Sequence, residues 1–219
     1  MKFPGGLTKE ERAAWERVGG LSEPSKMPGF AYSTPAQACP TGQKLREVPG
    51  SVCSGCYALK GRYVFGNVKQ ALERRLEAQE SDRARWVEDM VTVLGSSPVK
   101  GTGYFRWHDS GDIQGEEHFR AILEVVKRTP WLKHWVPTRE YRTVATVMQN
   151  GELAPLNITV RVSAPMIGQK PVTGSGNWNT STVGAGVGRA CPAREQENQC
   201  GDCRACWDKR VKNVDYQKH

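Results

Sequence analysis

Seven cysteines in two groups constrain the fold of this chain more than any other sequence feature. The first group has the spacing Cys-x13-Cys-x2-Cys and the second the spacing Cys-x8-Cys-x2-Cys-x2-Cys. A gap of two residues lets a single turn direct both sulfur atoms at one centre. The fold therefore has to present one such loop near each end of the chain. The cysteines are Cys39, Cys53 and Cys56 in group one, and Cys191, Cys200, Cys203 and Cys206 in group two.

The surroundings of these cysteines favour metal binding over disulfide formation. No apolar run approaches the length of a membrane span, and the first residues, MKFPGGLTKEERAAW, lack the apolar segment of a secretory signal. We therefore expect a cytoplasmic protein without membrane contact. In a reducing cytosol, clustered thiols are more often metal ligands or catalytic groups than disulfides, and an odd number of cysteines argues against complete pairing.

Three interpretations of the thiols compete. Seven cysteines in two tight groups are hard to explain as unliganded packing residues. Zinc would suit a closed shell of four thiolates, taken as two cysteines from each group. The triple Cys-x2-Cys-x2-Cys and the flanking aromatic residues favour an iron–sulfur cluster, which takes one cysteine at each of several corners. The sequence thus predicts one or two [4Fe–4S] clusters, with zinc as the alternative.

The number of clusters decides whether a metal centre can react. If group two binds a cluster of its own, group one forms a three-cysteine cluster that leaves one iron open to a ligand or substrate. If one centre takes cysteines from both groups, its shell is closed, and its role is structural or electron-transferring. The spacing alone leaves both arrangements open.

Between the cysteine groups, the sequence alternates strands and helices. Strands are predicted at 103–109, 134–140 and 157–163, and the segment EEHFRAILEVVKRTP between the first two has the apolar spacing of an amphipathic helix. Such an order implies parallel strands with right-handed crossovers. The predicted fold is α/β: a partial (β/α) barrel or a small parallel sheet with helices, plus cysteine-rich loops near both termini that bind a metal cluster.

Two further segments complete the predicted organisation. Residues 1–30 are predicted to form an N-terminal arm that contains a short helix over 8–18, and residues 31–219 a single α/β domain. Residues 164–190 are rich in Gly, Ser, Thr and Pro. Their stretch GSGNWNTSTVGAGVG has glycine spacings like those of a phosphate loop, but no strand directly precedes it and no helix follows. A long loop over the sheet is therefore predicted there.

Polar residues follow two of the predicted strands. RWHDSGD (106–112) and PTRE (137–140) lie where a parallel strand gives way to its helix, the usual place for an active site in α/β sheets. The candidate catalytic residues are His108, Asp109, Asp112 and Arg139. His108 is also a candidate metal ligand besides the cysteines. A simpler interpretation is that the acidic and hydroxyl residues only turn the chain and cap the next helix.

Longer motifs resemble the phage gene product 88 family. The matching stretches are SKMPGFAYS, CPTG, VPGSVCSGCYALKGRYVF, RWHDSGD, PTRE, NTSTV and CGDCRACWD. The resemblance implies a phage-encoded protein in the cytoplasm of the infected host, and a family whose function is unknown. It covers nearly everything from Lys26 to Asp208.

A second likeness concerns the segment CSGCYA at residues 53–58. This segment is similar to the start of another phage family, whose cysteines belong to a fold like that of radical S-adenosylmethionine enzymes. The likeness implies a three-cysteine [4Fe–4S] cluster at the top of a partial (β/α) barrel, with S-adenosylmethionine as a further candidate cofactor. The spacing between Cys39 and Cys53 is longer than in the motif of those enzymes.

Together these observations predict an iron–sulfur protein. A redox or radical-type enzyme is expected, with an unidentified small molecule or a redox protein as its partner. The net charge of +8 adds nucleic acid as a candidate partner. The alternative is a zinc-binding structural or nucleic-acid-binding module without catalysis.

Overall fold

The computed structural model describes residues 1–149, 154–172 and 178–218, and it has an α/β fold. Its described strands form one parallel sheet in the order β1-β2-β3-β4-β5-β7-β6. None of the described helices combines the length and apolar character needed to cross a bilayer. The strands are β1 (Phe30–Tyr32), β2 (Tyr104–Trp107), β3 (Lys133–Thr138), β4 (Ile158–Ser163), β5 (Asn179–Val183), β6 (Arg189–Ala190) and β7 (Asn213–Tyr216). The helices are α1 (Lys9–Arg17), α2 (Pro40–Arg46), α3 (Gly66–Ser81), α4 (Arg83–Gly95), α5 (Ser97–Lys100), α6 (Glu116–Arg128) and α7 (Tyr141–Gln149).

The three strands predicted between the cysteine groups are confirmed as β2, β3 and β4, and the amphipathic helix is confirmed as α6. β2 pairs with β3 and β3 with β4, in both cases parallel. The prediction of an α/β fold with a parallel sheet and helices is therefore confirmed.

Alternating side chains give the sheet two different faces. In β2, Phe105 and Trp107 are fully buried in an apolar core that also contains residues of α1, α4, α6 and α7. We call this side the helix face. Arg106, between them, points to the opposite side, as does Arg161 in β4, which contacts the group-two loop at Cys206. We call this opposite side the cysteine face, because the group-two loop covers it.

Helix α1 begins where the sequence predicts and packs into the core. The backbone N–H of Glu11 donates to the Thr8 hydroxyl at 3.2 Å, and the backbone N–H of Thr8 donates to the Glu11 carboxylate at 2.7 Å, which completes a capping box. Ala14 and Trp15 are buried in the same core as the sheet residues. The segment predicted as an arm thus contributes a helix to that core.

The long loop predicted over 164–190 is wrong for residues 179–183, which form β5 between β4 and β7, and for Arg189–Ala190, which form β6 beside β7. Thr180 and Thr182 are buried in this strand, and their hydroxyls donate to Asn213 at 2.9 Å and to Asp215 at 2.7 Å in β7. Because polar pairs rather than apolar residues fill the contact, the strand has no alternating apolar signal. Residues 174–177, which begin the glycine-rich stretch, lie outside the described residues.

Gly29 allows β1 to approach β2. Its φ is +76°, and a Cβ at this position would overlap the backbone carbonyl oxygen of Tyr104. A side chain here meets both an unfavourable left-handed backbone and an atom that cannot move unless the two strands separate. We expect Gly29→Ala to destabilise the protein by about 2–4 kcal/mol, which lowers Tm by roughly 4–16 °C for a chain of this size.

Thermal unfolding followed by circular dichroism measures the effect of Gly29→Ala. Gly66→Ala is the control, because a Cβ there meets nothing within 4 Å and the position begins α3. It should leave Tm unchanged or raise it slightly, since alanine favours helix over glycine. A Gly29→Ala protein with the Tm of the wild type would contradict the close approach.

Candidate metal centre

Turns around α2 hold group one. Cys39 immediately precedes α2, and a 3-10 turn that begins at Cys53 is closed by the backbone N–H of Cys56, which donates to the Cys53 carbonyl at 3.1 Å. A Cβ on Gly42 would lie 3.6 Å from the Cys39 sulfur and 3.9 Å from the Cys53 sulfur. Both sulfur atoms therefore lie close to the same point beside the first turn of α2.

Two buried carboxylates attach this region to the strand ends. Glu140, just beyond β3, accepts hydrogen bonds from the backbone N–H of Thr41 at 2.7 Å and from its hydroxyl at 2.8 Å. Asp112, beyond β2, accepts from the Thr138 hydroxyl at 2.6 Å and from the backbone N–H of Arg139 at 2.9 Å. The first turn of α2 is thus tied to the carboxyl ends of β2 and β3, where α/β sheets commonly carry their sites.

Burial raises the pKa values of two thiols and one carboxylate in this region. It raises the pKa of Cys39, and the neighbouring Asp112, Cys56 and Cys53 raise it further. Burial also raises the pKa of Cys53, although the nearby Arg139 guanidinium acts in the opposite direction. Desolvation raises the pKa of Asp112 to about 6, despite the hydrogen bonds that it accepts. Because thiolates rather than thiols bind metals, metal binding at group one would release protons.

Asp109 connects the end of β2 to the tyrosines that follow Cys56. The Tyr57 hydroxyl donates to the Asp109 backbone carbonyl, and the Tyr63 hydroxyl donates to the Asp109 carboxylate at 3.0 Å. The two tyrosine rings contact each other edge to face, with their centroids 5.8 Å apart. Burial raises the pKa of Tyr63, so its hydroxyl stays protonated and donates. Asp109 therefore lies beside group one.

The His108 side chain points to the opposite side of the sheet from that of the next residue, Asp109. Its φ is +58°, in the left-handed region that non-glycine residues seldom occupy. Its ring packs against the rings of Trp107 and His118, with centroids 6.4 Å and 5.6 Å away, on the helix face. Burial, and then the charge of Arg106, lower the pKa of His108 to about 3, so the ring is neutral at neutral pH. The structure thus separates His108 from the other three candidate catalytic residues, which lie beside group one.

Group two lies over the far half of the sheet and is tied to it through the backbone. The N–H of Cys191 donates to the Asp215 carbonyl in β7 at 2.8 Å. The N–H of Cys200 donates to the Lys26 carbonyl at 2.8 Å, and the N–H of Cys203 closes a turn onto the Cys200 carbonyl at 2.9 Å. These bonds connect the loop both to the N-terminal segment and to the last described strand.

The group-two thiols influence one another. Burial raises the pKa of Cys200, and the neighbouring Cys191 and Cys203 raise it further. Burial raises the pKa of Cys206 to about 11, and Cys191 adds to this shift, although the Tyr216 hydroxyl 3.2 Å from the Cys206 sulfur opposes it. Four thiols from one loop therefore form a single electrostatic group.

Arg161 fastens the group-two loop to the sheet. This fully buried side chain in β4 donates hydrogen bonds to four backbone carbonyls. The acceptors are Ala205 at 2.6 Å, Asp208 at 2.9 Å, Cys206 at 3.1 Å and Thr180 at 3.2 Å. From its place in the third predicted strand, Arg161 is expected among the polar groups that converge on an active site, whereas the structure uses its side chain to bind backbone carbonyls. Its signal is a cation at an interior position of an otherwise apolar strand, ITVRV.

Neither group is gathered as tightly as one metal ion would require. Within the ranges that the structure describes, no three His, Cys, Asp or Glu side chains converge in a way that could hold a lone ion. All seven cysteines are unpaired and partly buried. The structure thus provides two sets of free thiols, of three and of four, at different places on the sheet.

A comparison with protein families identifies the chain's relatives. The model of the gene product 88 family matches residues 5–209. The chain belongs to the gene product 88 family. The resemblance found from the sequence motifs is thereby confirmed. The description of the family names no activity, so membership assigns no chemistry to either cysteine group.

No curated protein and no solved structure matches the chain. The likeness to radical S-adenosylmethionine enzymes therefore finds no support in these comparisons. The roles of the two cysteine groups have to be argued from the geometry of this member of the gene product 88 family.

Proposed function

We propose that this gene product 88 protein binds two iron–sulfur centres, one in each cysteine group, and that it uses them for redox or radical-type chemistry. The observation that carries the proposal is the presence of two separate sets of partly buried, unpaired thiols, each built around Cys-x2-Cys turns. Clustered thiolates are typical ligands of iron–sulfur clusters and of zinc. Three thiolates are available in one set and four in the other.

The cysteine spacing favours a cluster over a lone zinc ion. Tetrahedral zinc holds each thiolate sulfur at about 2.3 Å, so it draws four sulfur atoms tightly around one point. An iron–sulfur core is larger and takes its cysteines at separate corners, which suits the Cys-x2-Cys-x2-Cys triple of group two.

Group one is the better candidate for chemistry. Three cysteines leave one iron of a [4Fe–4S] cluster without a protein ligand, whereas four cysteines close the shell of the cluster in group two. Arg139 influences the Cys53 thiol, and its buried Nε has no hydrogen-bond partner. We assign to its guanidinium the binding of an anionic group on a small-molecule ligand. S-adenosylmethionine is one candidate for that ligand.

Anaerobic metal and sulfide analysis tests the proposal. We expect a brown protein with broad absorbance near roughly 400 nm, about eight irons and about eight acid-labile sulfides per chain if both centres are [4Fe–4S]. Zinc in stoichiometric amounts without sulfide would instead support the structural alternative. A colourless protein without iron and sulfide after strictly anaerobic preparation would overturn the proposal.

Two further predictions concern where and with what the protein acts. Binding to nucleic acid, suggested by the charge of +8, would weaken steeply as the salt concentration rises. A place in the cytoplasm of the infected host would keep the seven thiols reduced and available to iron. A redox protein that supplies electrons is the partner that the two proposed centres require.

A further inference from the structure

Arg106 is a positively charged residue on the cysteine face, in the second strand of the sheet. It lies in β2 between the core residues Phe105 and Trp107, and its side chain points away from the helices. The guanidinium lies over the Trp135 ring at 4.5 Å, and one of its terminal nitrogens is 3.9 Å from the sulfur of Met27. The buried Nε has no hydrogen-bond partner. Stacking on Trp135 and a side-chain hydrogen bond with Tyr57 hold the guanidinium in place.

On one side, Arg106 contacts the residues that support group two. Met27 follows Lys26, whose carbonyl binds the N–H of Cys200. The Trp135 ring, on which Arg106 stacks, contacts Trp207 with centroids 5.2 Å apart, and Trp207 follows Cys206 directly. In agreement with this position, the charge of Arg106 lowers the pKa values of the Cys200 and Cys206 thiols against the opposing effect of burial.

On the other side, Arg106 meets the loop that follows group one. Its charge lowers the pKa of Tyr57, the residue after Cys56, and that of Tyr63, although burial raises both pKa values overall. Both tyrosine hydroxyls bind Asp109, three residues after Arg106. Burial lowers the pKa of Arg106, but Tyr57 and Asp109, among other neighbours, more than offset it, so the guanidinium stays charged.

We propose that Arg106 is a shared countercharge for the two metal centres, and that its positive charge makes both of them easier to reduce. This inference rests on the proposed iron–sulfur centres and adds the residue that tunes them. Reduction places one additional negative charge on a cluster. A fixed cation nearby stabilises that state, and it does so strongly where solvent is excluded. One residue near both centres therefore shifts both potentials in the same direction.

Two substitutions of opposite electrostatic sign test the inference. Arg106→Gln removes the cation, and Asp109→Asn removes the neighbouring anion while keeping an oxygen that can accept from Tyr63. Each centre is titrated anaerobically with dithionite, which supplies one electron per cluster, and the reduced state is followed by electron paramagnetic resonance. We expect lower midpoint potentials in Arg106→Gln, with the larger shift at group two, and higher midpoint potentials in Asp109→Asn.

Two controls separate charge from structure. Arg106→Lys keeps the positive charge and should restore potentials close to those of the wild type. Arg128→Gln removes an arginine from α6, where it pairs with Glu88 in the helix layer, and should leave both potentials unchanged. Because Arg106→Gln removes a buried contact, its iron and sulfide contents are measured first. If Arg106→Gln fails to assemble its centres, the inference is tested by the sign of the change in midpoint potential in Asp109→Asn.

The outcomes distinguish this inference from the proposed function. Absence of iron and sulfide from the wild type overturns the proposed function itself. The contrary result is that both variants keep full iron and sulfide contents and the midpoint potentials of the wild type. This result for Arg106→Gln and Asp109→Asn would overturn only the role of Arg106. Shifts of opposite sign in the two variants support it, since a purely structural disturbance has no reason to follow the sign of the charge removed.

Discussion

Replacing Cys53 and Cys56 together by alanine should remove about half of the iron and leave the other half bound. Group one and group two are separate sets of thiols, and under the proposed function each pair of cysteines serves its own centre. If both centres are [4Fe–4S], iron per chain falls from about eight to about four. Cys203→Ala combined with Cys206→Ala should remove the complementary half. Anaerobic iron and sulfide analysis, together with the absorbance spectrum, measures both losses.

The paired design distinguishes two centres from one. A single centre built from both groups would lose all of its iron in either double variant, and this result would contradict the assignment of two centres. Gly55→Ala is the matched control, because it lies between Cys53 and Cys56, and a Cβ there meets no protein atom within 4 Å. It should retain the full iron content. Loss of each centre should also lower the thermal stability, since binding of metal to the folded chain stabilises it.

Regular apolar periodicity made part of this fold predictable. β2, β3, β4 and α6 were found because their apolar residues repeat with the period of a strand or a helix. β5 was not predicted from the sequence, because its buried residues are threonine and serine rather than apolar residues. Its Thr180, Ser181 and Thr182 bind polar groups of the neighbouring strands, at distances of 2.7–2.9 Å. A strand that is buried through hydrogen bonds looks like a loop in the sequence.

The site was predictable in its residue types but not in its arrangement. Cysteine spacing and polar strand ends directed attention to the correct segments, since both are local patterns. The directions in which adjacent side chains point could not be predicted from the sequence, because they depend on the backbone dihedral angles. His108, at φ +58°, turns towards His118 on the helix face, whereas Asp109, the next residue, binds Tyr63 beside group one. A motif such as RWHDSGD therefore does not form one site merely because it is contiguous.

Contacts between residues that are far apart in the sequence could not be predicted either. Glu140 binds Thr41, which precedes it by 99 residues, and Arg161 binds the carbonyl of Cys206, 45 residues further on. No local period encodes such pairs. What the sequence offers is only the anomaly of a charged residue where a strand is otherwise apolar, as in YFRW and ITVRV. Both anomalies mark residues that connect the cysteine loops to the sheet.

Replacing Arg161 by alanine should be the most damaging change outside the cysteines. The side chain is fully buried and satisfies four backbone carbonyls, three of them in the group-two loop. Alanine leaves these acceptors without a partner in a site that water cannot easily reach, and it leaves a cavity. We expect a loss of about 3–5 kcal/mol in the free energy of unfolding, which lowers Tm by roughly 6–20 °C for a chain of this size.

The same substitution should weaken iron binding at group two before it affects group one, because the released loop carries Cys203 and Cys206. Arg161→Lys should recover part of the stability, since an ammonium group has three donors for four acceptors. Arg210→Ala is the matched control. That arginine side chain is 91% exposed and pairs with the nearby Asp208 carboxylate at 2.8 Å, and exposed ion pairs of this kind contribute about 0–1 kcal/mol. An Arg161→Ala protein that keeps both the wild-type Tm and the iron of group two would show that the loop is held by other contacts. Trp207 also binds this loop to the sheet, through its indole N–H and the Phe105 carbonyl at 2.9 Å and through its own carbonyl and the Thr159 hydroxyl at 2.9 Å. The Cys191 N–H adds a bond to the Asp215 carbonyl at 2.8 Å, so that outcome would transfer the anchoring role to these contacts.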